Sequence, residues 1–217
     1  MISHNLRKRL VTSLVLLSLF ILMLKFSYFL LLFLIVISIF SFIEFTQLIK
    51  KIFKNKLNQF FLNVFFILYI FTFSSLFFVF STFLHLKIIL FSLVFCCIAS
   101  DLGGFIFGKL FKGPKLTKLS PNKTISGSFG SVFLSCLTLS SIFFYILLKF
   151  DFRIIILGVL TSLFCQLGDL FFSYLKRKAK VKDTGEYLPG HGGFLDRIDG
   201  ILLGLPLGFI IFIILLG

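Results

Sequence analysis

Apolar runs of membrane-spanning length alternate with short polar segments along the whole chain. A transmembrane helix needs about 20 predominantly apolar residues. His85 and Lys87 divide the longest apolar tract, 59–108, which is too long for one helix. The pattern therefore predicts an all-α protein, a polytopic transmembrane helical bundle of about seven spans. The predicted spans are roughly 10–24, 27–48, 59–82, 87–108, 127–148, 154–175 and 198–216.

The composition indicates a single membrane-embedded domain over 1–217. Of the 217 residues, 59% are apolar and the mean hydropathy is +1.11, whereas soluble domains are usually about 45–50% apolar. We expect N-terminal spans in 1–86 and the spans with the long polar loops in 87–217. A net charge of +14 would indicate nucleic acid in a soluble protein. In a membrane protein it follows from basic cytoplasmic loops, so no nucleic-acid partner is expected.

The basic residues predict the orientation of the chain. The segments 1–9, 49–58, 109–126 and 176–197 hold 18 of the 22 Lys and Arg residues. Cytoplasmic loops collect such residues, so we expect a cytoplasmic N-terminus and both long polar loops on the cytoplasmic face. The start of the chain resembles a signal peptide, but no small-x-small cleavage site follows. We therefore expect the first span to be retained.

Acidic residues inside or beside the spans are the first candidates for chemistry. Asp101 and Asp169 fall within predicted spans, where an ionisable group is unfavourable and usually functional. Asp196 and Asp199 are three residues apart and share a helical face at the start of the last span. Carboxylates on two helix ends around a polar loop can converge on Mg²⁺, which takes one or two carboxylates plus phosphate oxygens and water.

The alternative is that these acids form ion pairs with neighbouring Lys and Arg. For Glu44, beside Lys50 and Lys51, we favour that alternative, because a carboxylate near a helix end needs no ligand. For Asp169 and Asp196 we favour the functional interpretation, because an idle charge at such a position is unfavourable.

The segment 173–199, called here the signature segment, is the densest polar stretch and holds four of the eight acidic residues. His191 lies between glycines, where backbone N–H groups could face a phosphate, and we expect a direct polar role for it. The glycines could equally form a tight turn into the last span. In the loop 109–126, lysines could bind a triphosphate or an anionic lipid headgroup as point charges. Alternatively, they reflect only the usual excess of basic residues in cytoplasmic loops.

Seventeen positions of the signature segment follow one spaced pattern, and this pattern resembles the signature of the phosphatidate cytidylyltransferase (CDP-diacylglycerol synthase) family. Segments 166–169, 101–108 and 119–124 are similar to further stretches of that family. The chain departs from it at Ile125-Ser126, where Trp-Glu is usual, and in the position of the aromatic after Asp101. The chain is short for the family, as expected if one or two N-terminal spans are missing. The matching positions are Ser173, Leu175, Lys176, Arg177, Lys182, Asp183, Gly185, Leu188, Pro189, His191, Gly192, Gly193, Phe194, Asp196, Arg197, Ile198 and Asp199.

The resemblance implies that CTP and phosphatidate give CDP-diacylglycerol and pyrophosphate with Mg²⁺. We expect Asp169 and Asp196 as principal metal ligands, and Asp199 and Asp183 as further ligands or groups that hold them. The expected phosphate-neutralising residues are Lys176, Arg177, Lys182 and Arg197. The expected substrate-binding residues are Asp101, Ser120, Lys123, Thr124, Ser173, Gly192 and Gly193.

The expected location is a bacterial-type cytoplasmic membrane, with the site facing the cytoplasm and phosphatidate in the inner leaflet. The sequence leaves open a second, monovalent cation and a homodimer. One alternative is a CTP-dependent lipid-alcohol kinase, which would need a base for a hydroxyl group. Another is an ion-coupled transporter, but the outer halves of the spans carry almost no polar side chains for a path.

Overall fold

The structure is a computed structural model that describes residues 18–19, 21–117, 120, 123–187 and 192–216. Within these residues the backbone is mostly helical and contains no β-strand. Helical backbone occurs at 18–19 and 21–25, and six long helices follow. They are α1 (Ser27–Ile52), α2 (Lys56–Ser81), α3 (Leu84–Phe111), α4 (Ile125–Leu147), α5 (Phe152–Lys178) and α6 (Leu195–Leu216).

All six long helices are long and apolar enough to cross a membrane. They confirm the all-α fold class and the predicted spans two to seven. Most of the first predicted span, 10–24, lies outside the described residues. The helices extend beyond the predicted apolar runs by up to four residues, because the helical backbone continues through flanking polar residues such as Lys109 and Lys176–Lys178.

The chain divides into two compact units. The first comprises Met1–Phe83 and Leu175–Ile198, and the second comprises Leu84–Tyr174 and Asp199–Gly217. In the first unit α1 packs against α2. The rings of Phe45 and Phe66 stack with centroids 3.9 Å apart, and the hydroxyls of Ser38 and Ser74 share a hydrogen bond of 2.8 Å. This unit also contains the loop between α5 and α6, and therefore most of the signature segment.

In the second unit α3 and α4 pack with their backbones close together, because small residues face each other. A Cβ atom on Gly103 would overlap the carbonyl oxygen of Gly130, and one on Gly127 would lie 2.7 Å from the carbonyl oxygen of Gly104. Small residues allow such close approach between membrane helices. The hydroxyl of Ser131 donates to the carbonyl oxygen of Ser100 at 2.7 Å across the same seam.

Side-chain caps define where two of the helices begin. The Asn55 side chain accepts a hydrogen bond from the backbone N–H of Leu57 at 2.9 Å at the start of α2. The Thr124 hydroxyl accepts one from the N–H of Gly127 at 3.1 Å at the start of α4. Both caps satisfy N–H groups that have no acceptor within the helix.

Candidate active site

In the second unit, predicted site residues line a cavity of about 230 Å³. Asp101 contributes from α3, Lys123 and Thr124 from the segment before α4, and Asp169 from α5. The cavity thus brings together four of the residues that the sequence predicts for substrate or metal. Its further lining residues are Gly104, Phe105, Leu116, Gly127, Ser128, Ser131 and Gln166.

Lys123 and Asp169 form an ion pair in this cavity. The Lys123 ammonium donates to Asp169 Oδ2 at 2.7 Å, and the two side chains are 31% and 16% exposed. A short backbone ladder positions the lysine, since the N–H of Leu116 donates to the Lys123 carbonyl at 2.8 Å and the Lys123 N–H donates to the Ser120 carbonyl at 3.0 Å. Ser120 does not line the cavity, but it helps to hold the turn that carries Lys123.

Asp169 also lies against Gly200, a residue of α6 that belongs to the same unit. A Cβ atom on Gly200 would be 2.7 Å from Asp169 Oδ1, and the Gly200 N–H donates to the Asp199 carboxylate at 3.0 Å. The two predicted ligands Asp169 and Asp199 therefore flank one glycine. The Cys165 thiol lies 4.0 Å from Oδ1 of Asp101, a further acid of this unit.

Gln166 and Ser128 are cavity residues to which the sequence analysis gave no role. The Ser128 hydroxyl donates to Gln166 Oε1 at 2.5 Å, and the Gln166 amide donates to the Ser162 hydroxyl at 3.3 Å. The first of these bonds joins α4 to α5, and the second lies within α5. The Gln166-Leu-Gly-Asp motif contained the signal, but helical periodicity alone does not reveal a partner on another helix.

In the first unit, three donors hold the carboxylate of Asp196. The Lys176 ammonium donates to Asp196 Oδ1 at 2.7 Å. The backbone N–H groups of Thr184 and Gly193 donate to Oδ2 at 2.8 and 3.1 Å. The Lys176 and Asp196 side chains are only 14% and 7% exposed, so this ion pair is largely shielded from solvent.

Gly192 lies beside both Asp196 and Asp183. It has a φ of +81°, which favours glycine because a side chain is strained there. A Cβ atom on Gly192 would lie 3.2 Å from Asp196 Oδ2 and 3.5 Å from Asp183 Cβ. The structure thus places Asp183 and Asp196, two carboxylates of the signature segment, next to the same glycine.

Glu44 corrects one prediction. Its side chain is completely buried, and it accepts hydrogen bonds from the Thr184 hydroxyl and from the backbone of Phe194 and Leu195. The predicted pairing with Lys50 or Lys51 is wrong, because those residues are six and seven positions along the helix, about 9–10 Å away. The observed partners lie in the signature segment.

A cleft of about 690 Å³ also opens on the signature segment. Lys182, Asp183 and Glu186 line it together with Gln47 and Lys51 from α1. All five residues are exposed. The cleft therefore presents both positive and negative charge on a surface that solvent reaches.

For three further predicted residues the structure gives a position but does not assign a role. Ser173 lies on α5 one turn beyond Asp169, and Arg177 and Arg197 are exposed. His191 lies outside the described residues. The roles predicted for these residues stay predictions, as does the convergence of Asp169 and Asp196 on one cation.

The carboxylates fit a hard divalent cation. In the part of the chain that the structure describes, no three His, Cys, Asp or Glu side chains come together to hold an ion alone. The acids occur in smaller sets, Asp169 with Asp199 and Asp183 with Asp196. Mg²⁺ uses such sets, because it takes one or two carboxylates and completes its shell with water and phosphate oxygens.

The fold and these polar cavities define a membrane-embedded helical protein. Its paired lysines and carboxylates are suited to phosphate chemistry. Residues 11–215 match the Cytidylyltransferase family, and the chain belongs to this family. It is 45% identical over 112 residues to the phosphatidate cytidylyltransferase of Staphylococcus aureus strain COL, covering 50% of this chain and 42% of that protein.

A second relative is the phosphatidate cytidylyltransferase of Helicobacter pylori strain 26695. It is 43% identical over 107 residues, which are 49% of this chain and 40% of that protein. The chain therefore aligns with less than half the length of these relatives. The family membership identifies the class of transferase, and the activity of the whole protein is a proposal.

Proposed function

We propose that this chain transfers a cytidylyl group from CTP to phosphatidate, giving CDP-diacylglycerol and pyrophosphate. The observation that carries the proposal is the signature segment, in which Lys176 and the backbone of Thr184 and Gly193 hold Asp196 in a buried, oriented position. The Lys123–Asp169 pair supports it with a second set of charges. The relatives that align with half of this chain carry the same activity in their names.

The chemistry requires little base catalysis. A phosphatidate oxygen is already anionic and attacks the α-phosphorus of CTP. The new bond joins the two phosphates, the bond between the α-phosphorus and the bridging oxygen breaks, and pyrophosphate leaves. Electrostatic repulsion between the two polyanions is the main obstacle, and preorganised positive charge lowers it. Lys123, Lys176 and Lys182 are among the cations proposed to offset this repulsion.

Asp169 and Asp199 are proposed to hold Mg²⁺, together with Asp196. Bound Mg²⁺ neutralises phosphate charge and favours departure of pyrophosphate. The lysines paired with two of these acids orient the carboxylates. Lys123 and Lys176 would then also contact phosphate oxygens.

The reaction is tested with purified protein, CTP, phosphatidate and Mg²⁺. We expect pyrophosphate release that requires phosphatidate and that EDTA abolishes, because the charges of two polyanions are not offset without the divalent ion. Restoring excess Mg²⁺ should restore the rate. Release of CDP instead of pyrophosphate, with phosphate transferred to a lipid alcohol, would identify the kinase alternative.

We also propose that the N-terminus and both polar loops face the cytoplasm, and that the membrane is the bacterial cytoplasmic membrane. The distribution of basic residues supports this orientation. A cysteine introduced at the exposed Glu186 should react with an impermeant maleimide only after cells are opened. One at the exposed Phe150 should react in intact cells.

The control is the unsubstituted protein, whose four cysteines all lie within membrane-spanning helices and should label weakly in both conditions. Labelling of the Glu186→Cys protein in intact cells would reverse the proposed orientation.

A further inference from the structure

Glu44 is a buried carboxylate on α1 that the proposed reaction does not use. Its side chain is 0% exposed. It accepts three hydrogen bonds from the signature segment: at Oε2 from the Thr184 hydroxyl and the Leu195 N–H, each at 2.8 Å, and at Oε1 from the Phe194 N–H at 3.0 Å. A buried carboxylate is unfavourable without such partners, so these bonds account for its presence.

Two of the three donors belong to the start of α6. Leu195 is the first residue of that helix, and the first N–H groups of a helix have no acceptor within the helix. The positive end of the helix dipole also favours a carboxylate there. Glu44, from a distant part of the chain, therefore does for α6 what a local N-cap side chain does for other helices.

The same backbone positions Asp196. Thr184 donates its hydroxyl to Glu44 and its backbone N–H to Asp196 Oδ2. Gly193, directly before the two residues that donate to Glu44, also donates its N–H to Asp196 Oδ2. A change in the position of the Glu44 carboxylate would therefore move the backbone donors that orient Asp196.

Two glycines of the signature segment give the Glu44 carboxylate its space. A Cβ atom on Gly185 would lie 2.5 Å from Glu44 Oε1, and one on Gly193 would overlap both carboxylate oxygens. Side chains at these positions would displace the carboxylate from the backbone. The two glycines and Glu44 thus pack together, although Glu44 lies far from both glycines in the sequence.

We propose that Glu44 is a positioning residue that fixes the orientation of Asp196 through Thr184 and the first turn of α6. The role of Asp196 in turnover rests on the proposed cytidylyl transfer, whereas the effect of Glu44 on the loop does not. The experiment therefore has one arm that needs no activity and one arm that measures it.

The first arm measures the loop directly. The chain contains no tryptophan, so Tyr187→Trp places a single reporter in the loop, where the native ring lies 4.9 Å from that of Phe40. We expect Glu44→Gln in this background to raise the acrylamide quenching constant by about 2-fold or more, because an amide N–H₂ would face N–H donors and release the loop.

Ser41→Ala is the matched control for the first arm. Ser41 lies on the same helix, is also 0% exposed, and its hydroxyl has no hydrogen-bond partner among the residues that the structure describes. It should leave the quenching constant unchanged. An unchanged quenching constant in the Glu44→Gln protein would overturn the proposal, whether or not the protein turns over CTP.

The second arm measures kinetics on protein that remains monodisperse in detergent. We expect Glu44→Gln and Thr184→Val each to lower kcat by about 10–100-fold, since small misplacements of a reacting group have effects of this size. The KM for CTP should change less than about 3-fold. Thr184→Ser keeps the hydroxyl and should retain a rate near that of the native protein.

The double variant separates positioning from a general loss of stability. If Glu44 acts through Thr184, Glu44→Gln with Thr184→Val should be no slower than the worse single variant, because coupled residues are not additive. Fully additive losses, or a rise in KM at native kcat, would overturn the proposal. If the native protein shows no CTP turnover, the proposed function fails and the quenching arm alone decides the role of Glu44.

Discussion

Asp196→Asn is expected to lower CTP-dependent turnover by at least about 100-fold while the protein still inserts into the membrane. Both oxygens of this carboxylate face donors, the Lys176 ammonium on one and the N–H groups of Thr184 and Gly193 on the other. An amide N–H₂ would place a donor against a donor whichever way it turned. The substitution also removes a negative charge that the site needs for a cation.

The measurement is the rate of pyrophosphate release by purified protein at saturating CTP and phosphatidate. Asp151→Asn provides the control. Asp151 lies in the turn between α4 and α5, where hydrogen bonds from Arg153 hold the pKa of its carboxyl below the usual range. It therefore also loses a full charge at neutral pH, yet it should keep the native rate. Near-native turnover in Asp196→Asn protein would contradict the assignment.

Asp169→Asn is the second substitution for which we expect a loss of about 100-fold or more. It breaks the 2.7 Å ion pair with Lys123 and removes a carboxylate that shares the cavity with Asp101. The neutral side chain can neither bind a divalent cation well nor hold the ammonium group in place. The apparent Mg²⁺ requirement should therefore rise together with the fall in kcat.

Titration of the rate with Mg²⁺ checks this second prediction. Lys123→Met, which removes the ammonium and keeps a long side chain, separates the two effects. It should lower turnover without raising the Mg²⁺ concentration needed for half the maximal rate. An Asp169→Asn protein with native Mg²⁺ dependence would contradict the metal-binding role.

The six long helices could be predicted because each apolar run is long enough to define its own element. The helix ends were less predictable, because Lys176–Lys178 continue α5 after the apolar run stops. Hydropathy depends on the side chains, whereas the end of a helix depends on its backbone hydrogen bonds. Polar residues at a helix end are therefore assigned to a loop when only the sequence is considered.

The sequence predicted residues of the candidate site, but it could not show which side chains pair with each other. Helical periodicity places residues on one face of one helix, and it carries no information on Lys123 and Asp169, which are 46 positions apart. Glu44 shows the same limit, because 140 positions separate it from Thr184. Its place in a predicted span was the available signal, since buried ionisable groups need specific partners.

The transfer of an isotopic label tests the central claim most directly. The native protein is supplied with phosphatidate, Mg²⁺ and CTP labelled at either the α- or the γ-phosphorus. We predict that the α-label enters the lipid product and that the γ-label leaves as pyrophosphate. Entry of the γ-label into lipid, or no phosphatidate-dependent transfer of either label, would contradict cytidylyl transfer.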